Sequence, residues 1–238
     1  MSLATLKTLV TMARGRRGGD HQESLEAFYA PQAEHYDSFR ERLLQGRAEL
    51  LADLDLQPGE RVVELGGGTG RNLEFAAERI PSLGSVDLVD LCRPLLAIAE
   101  QRIAARAWQE VVRTHHADAC DWQPTQPVDV VYCSYSLSMI PDWQRALDQA
   151  LSWLRPGGRL GIVDFYVDAA HPWFTRAFWP RWFRHDGVHL RSEYLGALAE
   201  RLQLSSLVES RARVPWCCGL RVPYLRAIGH PRAQGEQQ

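Results

Sequence analysis

The residues best spaced for chemistry lie in one run, Val62 to Gly70, which reads VVELGGGTG. An apolar stretch there carries an acid, Glu64, and passes into Gly66, Gly67, Gly68 and Gly70. A turn so rich in glycine lets backbone come close to a ligand. A dinucleotide site would need the pattern G-x-G-x-x-G. Counted from Gly66, the third glycine position is Arg71; counted from Gly67, the second is Thr69, so that pattern fails. The pattern present is acid-x-Gly-x-Gly-x-Gly, from Glu64 to Gly70. Asp90 follows twenty residues after Gly70, closing a second apolar stretch, SVDLVD. An acid so placed can accept both hydroxyls of a ribose. It supports a nucleoside ligand without choosing between a dinucleotide and another nucleoside cofactor.

The elements around these residues set the fold class. Helical signals run from about Ser24 to Leu54, and a turn at Gln57–Glu60 precedes the first strand. The patterns then predict a helix over Asn72–Arg79, a second strand ending at Asp90, and a helix over PLLAIAEQRIAARA. A third strand is expected near VVRTHHA and a fourth over Val128–Ser136. The helix WQRALDQALSWL stops at Pro156-Gly157-Gly158, ahead of a fifth strand, RLGIVDFYV. Strands alternating with helices imply a parallel sheet covered on both faces, with ligands bound beyond the carboxyl ends of the strands. After Val167 the rhythm breaks into an aromatic and arginine-rich insertion at about 168–191, followed by a helix, SEYLGALAERL, and two strand-like runs, SSLVESRARV and LRVPYLRAIG. One structural domain is expected, with an N-terminal segment and helical lid over 1–57, the core over 58–238, and a polar tail.

Composition narrows the function. The 238 residues carry a net charge of -2, which argues against a nucleic-acid binder that works by bulk charge. The five cysteines are odd in number and include no C-x-x-C, which fits a reducing cytosol. His115, His116 and Cys120 are the one tempting metal cluster, but no second ligand pair sits at the usual spacing, and no metal is expected. No apolar run is long enough to span a bilayer. Leu3, Leu6, Val10 and Met12, interleaved with or followed by Lys7, Arg14, Arg16 and Arg17, read either as a basic amphipathic helix for an anionic membrane surface or as a frayed terminus. The expected location is cytoplasmic, with peripheral contact on the inner membrane face.

Glu64-x-Gly66-x-Gly68-x-Gly70, Asp90, the ADA of Ala117–Ala119, YCSYSLSMIPDW and LRPGGRL followed by IVDF form an ordered set that resembles class I S-adenosylmethionine-dependent methyltransferases. The resemblance implies a Rossmann-like, seven-stranded, mostly parallel α/β sheet with helices on both faces, closed at its far edge by antiparallel strands. It implies S-adenosylmethionine as cofactor, with Glu64 toward the cationic end, Asp90 on the ribose and Asp118 on the adenine amino group. Gly66, Gly67, Gly68, Gly70, Asn72, Leu91, Ala119 and Ser134 would complete the cofactor site, with Tyr36, paired with Asp37, on a lid.

FYAPQAEHYDSFRERLL, SYSLSMIPDW, VDFYV, FWPRWF and RVPYLRAIG extend the likeness to the diacylglycerylhomoserine N-methyltransferases of betaine-lipid synthesis. That resemblance implies successive methylation of a lipid amine, in partnership with an upstream homoserine-transferring enzyme. Aromatic faces hold methylated ammonium by roughly 0.5–2 kcal/mol each. Tyr29, Tyr36, Tyr135 and Tyr166 are the candidate catalytic cage. Arg40, Tyr135, Trp179 and Arg181 are candidate substrate contacts, with Arg176 and Arg184 as further partners for a carboxylate. The aromatics and arginines of the insertion suit the headgroup region of a membrane, or a lid over a small apolar pocket. The alternative acceptor is a quinone-ring carbon or another amine. The nucleic-acid and protein classes are disfavoured, because SYSL stands where they carry an Asn/Asp-Pro-Pro-Tyr/Phe motif.

Overall fold

The computed structural model describes residues 21–30, 41–184, 187–214 and 219–232. Its centre is a seven-stranded sheet in the order β3-β2-β1-β4-β5-β7-β6. The strands are β1 (Arg61–Leu65), β2 (Ser85–Asp90), β3 (Val112–His116), β4 (Val128–Ser134), β5 (Leu154–Phe165), β6 (Leu202–Arg213) and β7 (Arg221–Pro231). The pairs from β3 through β5 are parallel, while β7 runs antiparallel to both β5 and β6. This is the expected mostly parallel sheet with antiparallel strands closing one edge. Chain order reverses between β1 and β4, so the ligand-binding crevice falls above that junction.

Burial explains the strand sequences. Every residue of β4, in the sheet interior, is buried, so it reads as a continuous apolar run instead of an alternation. In β1 side chains alternate: Val62 joins the core on one face, Val63 and Leu65 the core on the other. The first face is covered by α2 (Arg47–Leu54), α3 (Arg93–Ala105) and α5 (Trp173–Arg184), through residues such as Leu50, Ala99 and Phe183. The second is covered by α4 (Trp143–Ser152) and α6 (Tyr194–Arg201), through Trp143, Leu147 and Tyr194. The remaining described helix, α1 (His21–Tyr29), packs Leu25 and Tyr29 against Cys92 and Leu95 at the start of α3.

Two expectations change, and the insertion, for which no element was expected, takes a definite form. The helix predicted over Asn72–Arg79 is instead two short 3-10 turns, Arg71–Ala76 and Ile80–Ser82. Leu73 and Ala76, three apart, both face the core, the period of a 3-10 turn, and Pro81 prevents a longer helix. The fifth strand begins at Leu154, upstream of Pro156-Gly157-Gly158, which is carried as an irregularity in the pairing with β4. The aromatic insertion is a regular helix, α5, that admits Pro180 in its interior. The basic N-terminus, Cys217, Cys218 and the polar tail lie outside the described residues.

Candidate functional site

A cavity of about 270 Å³ opens at the carboxyl ends of β1, β2, β3 and β4. Its wall begins at the glycine turn. Gly66 adopts φ +72°, and a Cβ there would stand 2.2 Å from Cβ of Ser136, so only glycine lets the corner after β4 seat on the turn. Ser136 Oγ donates to the Leu65 carbonyl at 2.6 Å and locks that contact. Gly68 has φ +54° and also faces the cavity.

Asp90 closes the neighbouring strand. Its Oδ2 accepts the Gly68 N–H at 2.8 Å and its Oδ1 accepts the Cys92 N–H at 2.7 Å. The two bonds fix the carboxylate plane against the cavity, with lone pairs left on both oxygens. Burial raises its pKa, against the backbone bonds from Cys92 and Gly68 that lower it. Asp118, after β3, is held similarly, with Oδ1 accepting the Cys120 N–H at 2.7 Å. Leu91 and Ala119 line the wall between these acids. Ser134, at the end of β4, lines the cavity with a buried Oγ that has no partner among the described residues.

Tyr135 makes the corner after β4. It is one of the described non-glycine residues at positive φ, +55°, a costly conformation for a bulky side chain. The corner is over-determined: its N–H donates to the Val163 carbonyl at 2.8 Å, its hydroxyl donates to the Gln45 carbonyl at 2.5 Å, and its ring lies 4.5 Å from Phe165. Below it sits Asp164, fully buried, whose Oδ2 accepts the Ser138 N–H and whose Oδ1 accepts the Phe165 N–H, each at 2.8 Å. Burial pushes the Asp164 carboxyl up to about 6, against those same hydrogen bonds. Tyr29 reaches the cavity from α1, its hydroxyl 3.3 Å from Sδ of Met139. Gln22 and Glu26 of the same helix meet His116 Nε2 at 3.2 and 3.6 Å, tying α1 to the end of β3.

Of the residues expected from the sequence, the structure brings Tyr29, Gly66, Gly68, Asp90, Leu91, Asp118, Ala119, Ser134 and Tyr135 together around this cavity. Tyr36, Asp37 and Arg40 lie outside the described residues. The others stand elsewhere. Glu64 is fully buried, and its two oxygens accept from Asn72 Nδ2 at 2.6 Å and the Tyr132 hydroxyl at 2.8 Å. Its alternation in β1 turns it into the sheet face, and that bond occupies the Asn72 Nδ2, while the buried Asn72 Oδ1 has no partner among the described residues. Burial pushes the Glu64 carboxyl up to about 7, although both hydrogen bonds pull it down.

Gly67 faces β2, where a Cβ would lie 2.5 Å from Leu88 Cδ2, and Gly70 packs against Ala99. Both shape the turn without lining the cavity. Tyr166 falls one residue past Phe165, hence on the opposite face, where its buried ring meets His171 at 5.1 Å. Trp179 is buried between Phe178 and Phe183, and Arg181 is exposed on the outside of α5. Leu25, Leu44, Ser136, Met139 and Ile140 line the cavity without having been expected to. Three of these lie in YCSYSLSMIPDW, which marked the loop but not which side chains turn inward.

The donor set fits S-adenosylmethionine. Asp90 presents acceptors to a ribose, Asp118 an acceptor to an adenine amino group, and the unpartnered Ser134 Oγ a donor and acceptor beside the glycine turn. A family model described as a methyltransferase domain matches residues 36–209. The chain belongs to that family. This methyltransferase is of class I and uses S-adenosylmethionine. It is similar to trans-aconitate 2-methyltransferase of Rhizobium leguminosarum bv. trifolii (strain WSM2304), 29% identical over 219 residues, 83% of this chain and 82% of that one. It is also similar to a ubiquinone/menaquinone biosynthesis C-methyltransferase of Xanthomonas campestris pv. campestris, 27% identical over 65% of this chain and 63% of the other. The solved geranyl diphosphate C-methyltransferase of Streptomyces coelicolor A3(2) shares the fold, with a TM-score of 0.69 at 18% identity, over 91% of this chain and 100% of that one. Among the described residues no helix is long and apolar enough to cross a membrane.

Proposed function

We propose that the methyltransferase acts on a small acceptor that enters uncharged, a quinone-type ring carbon or a neutral amine. The observation that carries this is the charge of the cavity. Among its described lining residues Arg145 is the only cation, and Asp121 already holds its guanidinium at 2.7 Å. Asp90, Asp118, Asp121 and Asp142 are the acids. A polycarboxylate such as the acceptor named for the trans-aconitate relatives would be desolvated there with no free cation among the described lining residues, at a cost of several kcal/mol per unpaired charge. Much of the remaining wall, including Leu25, Leu44, Tyr135 and Ile140, is apolar or aromatic, its other polar side chains include the uncharged Ser134 and Ser136, and it favours a neutral ring or an amine in its uncharged form.

S-adenosylmethionine supplies a methyl group on a sulfonium, open to in-line displacement by a nucleophile. The protein supplies position. Asp90, at the end of β2, and Asp118, just after β3, would hold the nucleoside, and the glycine turn would permit its close approach over β1. The corner at Tyr135 and Ser136 bounds the acceptor's share of the cavity. Holding the two reactants in line accounts for much of the rate in such transfers. An amine needs no strong base, because it can enter deprotonated or lose its proton to water. The faces of Tyr29 and Tyr135 offer cation-π attraction to an ammonium once it is methylated.

A second reading, N-methylation of diacylglycerylhomoserine toward a betaine lipid, is favoured by the exposed aromatic and arginine-bearing helix α5, which suits a lipid-borne acceptor. Methyl transfer from labelled S-adenosylmethionine to a demethylated quinol, to an amine-bearing lipid and to trans-aconitate tests the proposal. Labelling of the quinol or amine without labelling of trans-aconitate is expected. Preferential labelling of trans-aconitate would overturn it.

A further inference from the structure

Helix α5 has two aromatic rows with opposite fates. Thr175, Trp179 and Phe183, four residues apart, are buried. The adjacent row, Phe174, Phe178 and Trp182, also four apart, stands 56%, 38% and 49% exposed, and Trp173 at the helix start is 78% exposed. The Phe178 and Trp182 rings lie 5.6 Å apart, tilted by 30°, so they form one continuous apolar strip. Arg176, Arg181 and Arg184 are exposed on the same helix, which contains no acid. None of the three forms an ion pair among the described residues. An exposed aromatic strip of this kind marks a contact surface.

The charge decides what covers it. Arg181 and Arg184 lie on the flank of the strip, and a second copy meeting this face symmetrically would bring these arginines toward their counterparts, with no acid in either helix. An anionic lipid surface supplies the missing negative charge, and its headgroup region suits rings and guanidinium groups together. We propose that the outer face of α5 docks the methyltransferase on an anionic bilayer. Docking there sets the cavity close to the lipid. Phe183 on the inner row lies 4.8 Å from Phe165, which lies 4.5 Å from Tyr135 in the cavity wall. The surface goes beyond the acceptor reading and is independent of it, since a long-chain quinone and a lipid amine both reside in the bilayer.

The test uses the full chain with vesicles of phosphatidylcholine alone or mixed with phosphatidylglycerol. Wild-type protein is expected to co-sediment with the mixed vesicles, with a blue shift of tryptophan fluorescence. Arg176→Gln/Arg181→Gln/Arg184→Gln should bind at least about tenfold more weakly and lose its salt dependence. Trp173→Ala/Phe174→Ala/Trp182→Ala should lose binding at low and high salt alike, because its share is apolar burial. Calorimetric titration with S-adenosylmethionine checks that each variant is folded. Trp173→Ala alone, at the most exposed of these positions, gives a weaker loss of the same kind should the triple variant not fold. Wild-type protein left in the supernatant with both vesicles would overturn the proposal, as would undiminished binding by both triple variants. A wild-type dimer dissociated by the aromatic substitutions would overturn it too, assigning the face to a second copy.

Discussion

Glu64→Gln should make the protein more stable in mild base. The carboxyl of Glu64 is fully buried and bonded only to neutral donors, Asn72 Nδ2 and the Tyr132 hydroxyl. Burial raises its pKa from 4.5 in the ordinary state to about 7 in the fold. A raised carboxyl pKa means that the folded protein binds this proton more tightly than the unfolded chain. The stabilisation is therefore complete below 4.5 and is lost as pH climbs through about 7. The rise from 4.5 to about 7 corresponds to roughly 3.5 kcal/mol, at about 1.4 kcal/mol for each factor of ten in proton affinity. Glutamine is never charged, and its amide can accept from Asn72 while donating to the Tyr132 oxygen. The variant should thus exceed wild type by up to roughly 3 kcal/mol near pH ~8, shrinking to about 1 kcal/mol near pH ~5.5. Urea denaturation of both proteins at the two pH values measures it. A variant that is no more stable than wild type in mild base would refute the reasoning.

Gly66→Ala should destabilise by roughly 2–5 kcal/mol, from overpacking against Ser136 and the left-handed backbone; adding Ser136→Gly should return roughly 1–3 kcal/mol, read by denaturant midpoints. Asp164→Asn keeps one acceptor oxygen for two backbone N–H groups and should lower kcat about tenfold or more through the Tyr135 corner, with KM for S-adenosylmethionine little changed. Wild-type turnover should also fall as pH drops through about 6, where Asp164 takes up a proton, and this limb should vanish from the variant's pH profile.

The sheet was legible because its strands are apolar runs separated by helices and glycine turns, and the order of those runs fixes a parallel core. The site was legible where a residue ends a strand or follows its end within two positions. Asp90, Asp118, Ser134 and Tyr135 all follow that rule and all line the cavity. Parity was harder. Tyr166 and Phe165 differ by one position and face opposite cores, and Glu64 turns into the sheet where a strand-end acid was expected to meet the ligand. In α5 two aromatic rows share one period, and spacing alone does not say whether Trp179 or Trp182 turns inward. That depends on the partner surface, here Phe165. The 3-10 turns after Gly70 were missed because their composition suits an α-helix and their brevity is imposed by Pro81 and the distance to β2.

Calorimetric titration of wild-type protein and Asp90→Ala tests most directly that the cavity at the carboxyl ends of β1, β2, β3 and β4 takes S-adenosylmethionine. Wild type should bind S-adenosylmethionine or its demethylated product, and should not bind NAD. Loss of hydrogen bonds to a charged acceptor should weaken the variant by roughly 1.5–3 kcal/mol, about tenfold to 150-fold, while its circular dichroism stays that of the folded protein. Unchanged affinity in a folded Asp90→Ala protein, or tighter binding of NAD by wild type, would contradict it.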